Sequence, residues 1–148
     1  MAGFVNGTAA RTRSGEGAAV VSAASAKVLL VDDDLAVRST TAEILRNAGY
    51  DVVEAEDGLV ALEIIEDVRL PVSVMVLDLF MPRCDGIGVL EALDRPPVTV
   101  IASAFGIEPE AKARLGDKVF HYLKKPVPPA TLIDVVAQAK ALAEGPGA

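Results

Sequence analysis

The chain has 148 residues, 51% of them hydrophobic, with a formal net charge of −7. That length suits one domain with a real core, and the acidic balance argues against direct DNA binding or adhesion to an anionic membrane, because phosphate contacts need clustered Lys and Arg. The single cysteine, Cys84, excludes an intrachain disulfide and fits a reducing, cytoplasmic setting, and no run approaches the ~18 apolar residues of a membrane span.

The first 26 residues place basic side chains ahead of the small-residue stretch "AAVVSAASA". A secretion signal has the same order of parts, but Glu16 and several glycines interrupt this one, and its apolar part is too short. Segment 1–26 reads instead as a flexible tail rich in Ala, Gly and Ser, which cannot bury enough surface to order itself. Residues 27–143 read as one domain whose pattern alternates between two periods. "KVLLV" (27–31) is a short apolar run that meets "DDD". "AVRSTTAEILRNAGY" follows as a helix with Val37, Thr41, Ile44, Leu45 and Ala48 on one face and Gly49 as its stop. "DVVEA" (51–55) is a second strand, and "GLVALEIIEDVRL" a second helix with Ala61, Leu62 and Ile65 in its stripe. "VSVMVLD" is a third strand and "GIGVLEALD" a short third helix, closed early by Pro96 and Pro97. "VTVIAS" (98–103), a short helix "EPEAKARLGD" and the strand "VFHYL" (119–123) come next. "PATLIDVVAQAKALAE" is the last helix, with Pro129 in its first turn and Leu132, Val135, Val136 and Ala139 inward. Residues 144–148 form a C-terminal tail.

Five strands alternating with five helices predict an α/β fold with a parallel sheet covered on both faces. Strands one, three and four are apolar enough to be central. In such sheets a ligand sits beyond the carboxyl ends of the strands. Strand one ends in Asp32, Asp33 and Asp34, strand three in Asp78, strand four in Ser103, and strand five in Lys124, Lys125 and Pro126. Any one polar strand end is unremarkable; together they gather acids, a hydroxyl and an ammonium on one edge. Asp78 interrupts an apolar run, and an unpaired buried charge is costly. Crowded carboxylates raise one another's pKa. Mg²⁺ relieves that with oxygen ligands and waters. Asp78 can then stay ionised as a nucleophile, as in aspartyl-phosphate chemistry, with Lys125 and Ser103 holding the phosphoryl oxygens.

The stretches "VLLVDDD", "VLDLFMPRCDG", "VIASA" and "YLKKPV" resemble, in order and context, the receiver domain of two-component response regulators (CheY-like). The resemblance implies a doubly wound, flavodoxin-like five-stranded sheet in the order 2-1-3-4-5. It implies that Asp78 is the phosphoacceptor and that Asp32 and Asp33 are the acidic pair, with Asp33 the direct Mg²⁺ ligand and the Phe80 backbone carbonyl another. Lys125 would pair with the phosphoryl group, ahead of a cis bond to Pro126. Ser103 is the hydroxyl that moves to the phosphate, and Tyr122 the aromatic that turns inward with it, a population shift between two packings. The donor would be a sensor histidine kinase or a histidine phosphotransfer protein. Output would come from a downstream protein docking on the face of helix four, strand five and helix five. Such a chain is a stand-alone receiver, not an enzyme beyond promoting its own Mg²⁺-dependent phosphorylation and dephosphorylation.

Other residues read as structural. His121, the only histidine, falls in a strand rather than on an exposed helix face, so it is a surface or packing residue. Cys84 has no metal-spaced partner, Asp34 and Asp85 suit helix caps or turns, and Met75 and Met81 suit packing. Two departures stand out. Phe80 and Phe105 lie two residues after the phosphoacceptor and the switch hydroxyl, where many relatives carry a polar group that orients water. Two phenyl rings there imply slow self-dephosphorylation. The stretch "RLGDKVFHY" also lacks the family's usual Gly-Ala. A haloacid-dehalogenase-type phosphatase would want an acid at position 80, and a nucleotide or flavin domain a Gly- or Ser/Thr-rich loop where "DDD" stands. The alternative is a degenerate receiver, a phosphorylation-independent protein-interaction module. Those usually lose one of the acids or the lysine; Asp33, Asp78, Ser103 and Lys125 are all present here.

Overall fold

A computed structural model describes residues 26–81 and 85–145. The N-terminal tail expected over 1–26, nearly all of it, lies outside the described residues, as do Cys84 and the last three positions. The elements run β1 (Lys27–Val31), α1 (Leu35–Asn47), β2 (Val52–Ala55), α2 (Gly58–Glu66), β3 (Val72–Leu77), α3 (Gly86–Ala92), β4 (Val98–Ser103), α4 (Pro109–Leu115), a 3-10 turn (Gly116–Lys118), β5 (His121–Lys124) and α5 (Pro129–Glu144). All the strands pair in parallel, in the order β2-β1-β3-β4-β5. This is the doubly wound order 2-1-3-4-5.

Alternation along each central strand builds two apolar layers. Val28, Leu30, Val74, Val76 and Val100 meet Ala42 and Leu45 of α1 and Leu132, Val135, Val136 and Ala139 of α5. Leu29, Val31, Met75, Leu77 and Ile101 meet Ala61, Val89, Leu90 and Leu115 from α2, α3 and α4. Fully burying one such Leu, Ile or Met contributes about 1.5–3 kcal/mol, so these layers hold the sheet rigid under its carboxyl edge. Met75 and Met81 are buried packing residues, as expected.

Three of the helices start at side-chain caps. Asp34, Asp57 and Asp85 each accept the backbone N–H three residues on, from Val37, Val60 and Gly88. Gly49, at φ +101°, lets the chain leave α1 in a conformation that L side chains rarely adopt.

Three elements differ from expectation. The α1 face is rotated: Ala42 and Leu45 are buried, whereas Val37 and Ala48 are exposed and Thr41 and Ile44 half-buried. Small Ala42 lets the helix seat closely, and Arg38 takes an inward place because its guanidinium finds partners there. Helix α2 stops at Glu66, because Asp67 leaves helical geometry and accepts from Arg69 in a turn. Strand β5 begins at His121, not Val119, because Val119 closes the 3-10 turn, and pairing then runs on to Lys124 opposite Ser103. Helix α3 is short, as the prolines predicted.

Candidate functional site

Register places the site. Val31 pairs with Leu77, so the residues that follow, Asp32 and Asp78, emerge side by side, and the Asp78 N–H donates to the Val31 carbonyl at 3.0 Å. Ser103 pairs with Lys124, and the Lys125 N–H donates to the Ser103 carbonyl at 2.9 Å. Four strand ends therefore present their polar residues to one hollow.

Within it, one carboxylate oxygen each from Asp32, Asp33 and Asp78 lie within 4.8 Å of one another. Asp32 is buried, Asp78 half-buried and Asp33 exposed. Lys125 Nζ lies 2.6 Å from Asp32 Oδ2 and 3.7 Å from Asp78 Oδ2. That ammonium is the positive partner the interrupted apolar strand requires. Asp78 Oδ1 accepts a long bond from the Phe80 N–H at 3.4 Å. Ser103 is buried, and its Oγ accepts from the Phe105 N–H at 3.3 Å. The Lys125–Pro126 bond is cis.

Burial pushes the Asp78 carboxyl above its ordinary range; Lys125 pulls it back, and Asp32 and Asp33 add to the rise. A folded-state pKa above the unfolded one means that ionised Asp78 costs stability. The cost is absent below the unfolded pKa and complete once pH has risen past the folded one. Asp78→Asn is therefore expected to raise the thermal midpoint of the metal-free protein at neutral pH, by a few degrees for about 1 kcal/mol, since Lys125 keeps Asp32. Differential scanning calorimetry in chelator checks this; an unchanged or lower midpoint contradicts it.

The donor set fits a hard divalent cation. All three side chains offer carboxylate oxygens, and the exposure of Asp33 leaves room for waters in an octahedral shell.

Phe80 and Phe105 meet edge to face, centroids 5.5 Å apart, and both rings are more than half exposed. Tyr122 lies half-buried on β5 against the α2–α4 layer, with Lys112 Nζ of α4 4.7 Å from its ring centroid. His121 is exposed at the β5 edge, tilted against Phe120.

Three features escaped sequence reading. Gly86 opens α3 so close to the Asp78 carbonyl and Leu79 Cα that a Cβ would collide with both. The "DG" pair signalled a turn but not that contact. Arg38 donates to the Asp32 carbonyl. A cleft of about 550 Å³ also opens beside Asp32, Asp78 and Lys125. It is lined by Val37, Thr41 and Ile44 of α1, the residues expected in the core, and by Pro126 and Val127.

The sequence profile of the response regulator receiver domain matches residues 28–137. The chain belongs to the response regulator receiver family. Receiver domains are signalling modules of two-component systems that meet histidine kinases and downstream effectors. This receiver is 38% identical over 105 residues to the sensor kinase CckA of Brucella abortus (strain 2308), covering 69% of this chain and 11% of that protein. It is 37% identical over 122 residues to the response regulator MprA of Mycobacterium ulcerans (strain Agy99), covering 80% and 50%. The chain thus spans half or less of the length of these relatives. Among solved structures, a CheY-like receiver domain protein from Methanospirillum hungatei JF-1 superposes with a TM-score of 0.72 at 26% identity, covering 81% of this chain and 98% of that one. No helix among the described residues is long and apolar enough to cross a membrane.

Proposed function

We propose that this receiver works in the cytoplasm as a response-regulator domain that accepts a phosphoryl group on Asp78. The observation that carries this reading is the convergence of Asp32, Asp33, Asp78 and Lys125 at one sheet edge, with an ammonium already between two of the carboxylates. An Asp78 oxygen attacks the phosphorus of a phosphohistidine or a small acyl phosphate. The new bond is carboxylate O–P; the bond from phosphorus to the donor breaks, and its electron pair leaves with the donor. Asp33, Asp32, Asp78 and the Phe80 carbonyl would hold Mg²⁺, which supplies positive charge for the phosphoryl oxygens. Lys125 pairs with another of those oxygens once it leaves Asp32, and the Ser103 hydroxyl reaches a third. Tyr122 then turns inward as Ser103 moves, changing the α4–β5–α5 face that a downstream protein reads. The donor is a sensor histidine kinase or a histidine phosphotransfer protein, and no step involves DNA.

The test is direct. Incubation with acetyl phosphate and Mg²⁺ is expected to add one phosphoryl mass to intact protein, lost in Asp78→Ala. Absence of an adduct from both acetyl phosphate and a cognate kinase, with the fold intact, would favour the degenerate, phosphorylation-independent module instead.

The phenyl rings of Phe80 and Phe105, each two residues after Asp78 or Ser103, offer no hydrogen bond to an attacking water, so the acyl phosphate is long-lived. Phe80→Asn with Phe105→Glu should speed its decay about 100-fold, the low end of what a positioned proton acceptor contributes. The decay of the phosphoryl mass over time reads this; an unchanged lifetime contradicts it.

A further inference from the structure

Arg38 sits in the first turns of α1 with its side chain only 14% exposed. Its Nη1 donates to the Asp32 backbone carbonyl at 2.8 Å, and its Nε donates to Glu54 Oε1 on β2 at 3.1 Å. The other Glu54 oxygen takes Arg46 Nη1 at 3.1 Å, and Arg46 Nη2 reaches the Val52 carbonyl at 3.0 Å. One carboxylate on β2 thus anchors two arginines of α1, and of these Arg38 is the one that grips the acid loop.

Asp32 is fully committed. Its N–H donates to the Ala55 carbonyl at 3.1 Å, and its carbonyl accepts from Arg38. Its Oδ1 accepts from the Asp34 N–H at 3.0 Å and its Oδ2 from Lys125 at 2.6 Å. The carbonyl held by Arg38 belongs to the peptide that joins Asp32 to Asp33. The orientation of that peptide decides where the exposed Asp33 carboxylate can go. We propose that Arg38, braced by Glu54, is a positioning residue for the cation site, fixing the Asp32–Asp33 peptide so that Asp33 stays within coordinating reach of Asp32 and Asp78. The guanidinium suits this task. Its planar fork serves a carbonyl and a carboxylate together, which a lysine ammonium does not. It also binds the carbonyl rather than the carboxylate oxygens, so it does not compete with a cation for them.

This inference rests on the Mg²⁺ reading above. Its test is calorimetric titration of Mg²⁺ into the full chain, for wild type, Arg38→Met, Arg38→Lys and Arg46→Met, with circular dichroism and thermal midpoints beside it. Arg46→Met is the control: it removes the other arm of the Glu54 tie and touches nothing in the acid loop. Arg38→Met is expected to weaken Mg²⁺ binding about tenfold or more, as loss of a partner behind a metal ligand does. Arg38→Lys should recover little of it, and Arg46→Met should leave affinity unchanged while lowering the metal-free midpoint. Unchanged affinity in Arg38→Met, or an equal loss in Arg46→Met, would overturn the proposal and leave Arg38 as a tie between α1 and β2. If Arg38→Met does not fold, Glu54→Ala removes the acceptor that braces Arg38 but leaves the guanidinium, and unchanged affinity there overturns the proposal equally. A wild-type chain that takes up no Mg²⁺ would overturn the metal reading itself, and this role with it.

Discussion

Replacing Lys125 with Met is expected to slow phosphorylation of Asp78 by acetyl phosphate about 100- to 1000-fold, the usual loss when one preorganised electrostatic donor is removed. The side chain also has a second task before any phosphate arrives. It lies 2.6 Å from Asp32, whose side chain is 6% exposed, and 3.7 Å from Asp78. Removing one partner of a buried pair typically costs about 3–5 kcal/mol. Lys125 is 22% exposed, so water repays part of that and the low end is expected. Added Mg²⁺ should return some of the lost stability, because it restores positive charge between the same acids. The pH dependence moves as well. Lys125 pulls the Asp78 carboxyl down, so without it the carboxyl ionises only at higher pH, and metal-free titrations should shift upward. A Lys125→Met protein that gains phosphate at the wild-type rate would remove this residue from the mechanism.

Gly86→Ala is the second large effect. A Cβ there would stand 2.8 Å from Leu79 Cα and closer still to the Asp78 carbonyl oxygen. Both obstacles are backbone, so no side chain can swing aside. The Gly86 N–H also bonds the Leu79 carbonyl at 3.0 Å, which pins α3 to the strand end that carries Asp78. Overpacking costs about 1–3 kcal/mol where neighbours can yield, and more where they cannot. We expect about 3 kcal/mol by urea denaturation, and a slower gain of phosphate as Asp78 is pushed out of line. A loss within about 0.5 kcal/mol would show that α3 moves freely, contrary to the close contact seen here.

Much of this was legible because strand ends in a parallel sheet share an edge. Asp32, Asp78, Ser103 and Lys125 could be placed together from the alternation of strands and helices alone. The register then had only to confirm that Val31 meets Leu77 and Ser103 meets Lys124. The helix α5 stripe was readable for the same reason: Leu132, Val135, Val136 and Ala139 recur at helical spacing and all are buried. The α1 face was not, because two rules competed. Hydrophobicity pointed to Val37 and Ile44; packing used small Ala42, and ion pairing drew Arg38 inward. No local pattern announces that an arginine will find a carbonyl and a glutamate waiting. Strand β5 slipped because the 3-10 turn consumed Val119, a matter of backbone geometry that apolar character does not encode. Gly86 was visible as a turn residue, but the backbone it must clear lies at the end of another element.

The most direct measurement is where the phosphoryl group goes. Borohydride reduces an acyl phosphate to the alcohol, turning a phosphorylated aspartate into homoserine that peptide mass spectrometry can locate. After acetyl phosphate and Mg²⁺, homoserine is predicted at position 78, and none when Mg²⁺ is withheld. Homoserine at position 32 or 33 instead, or none anywhere after treatment by an active donor, would contradict the assignment of Asp78 as the acceptor.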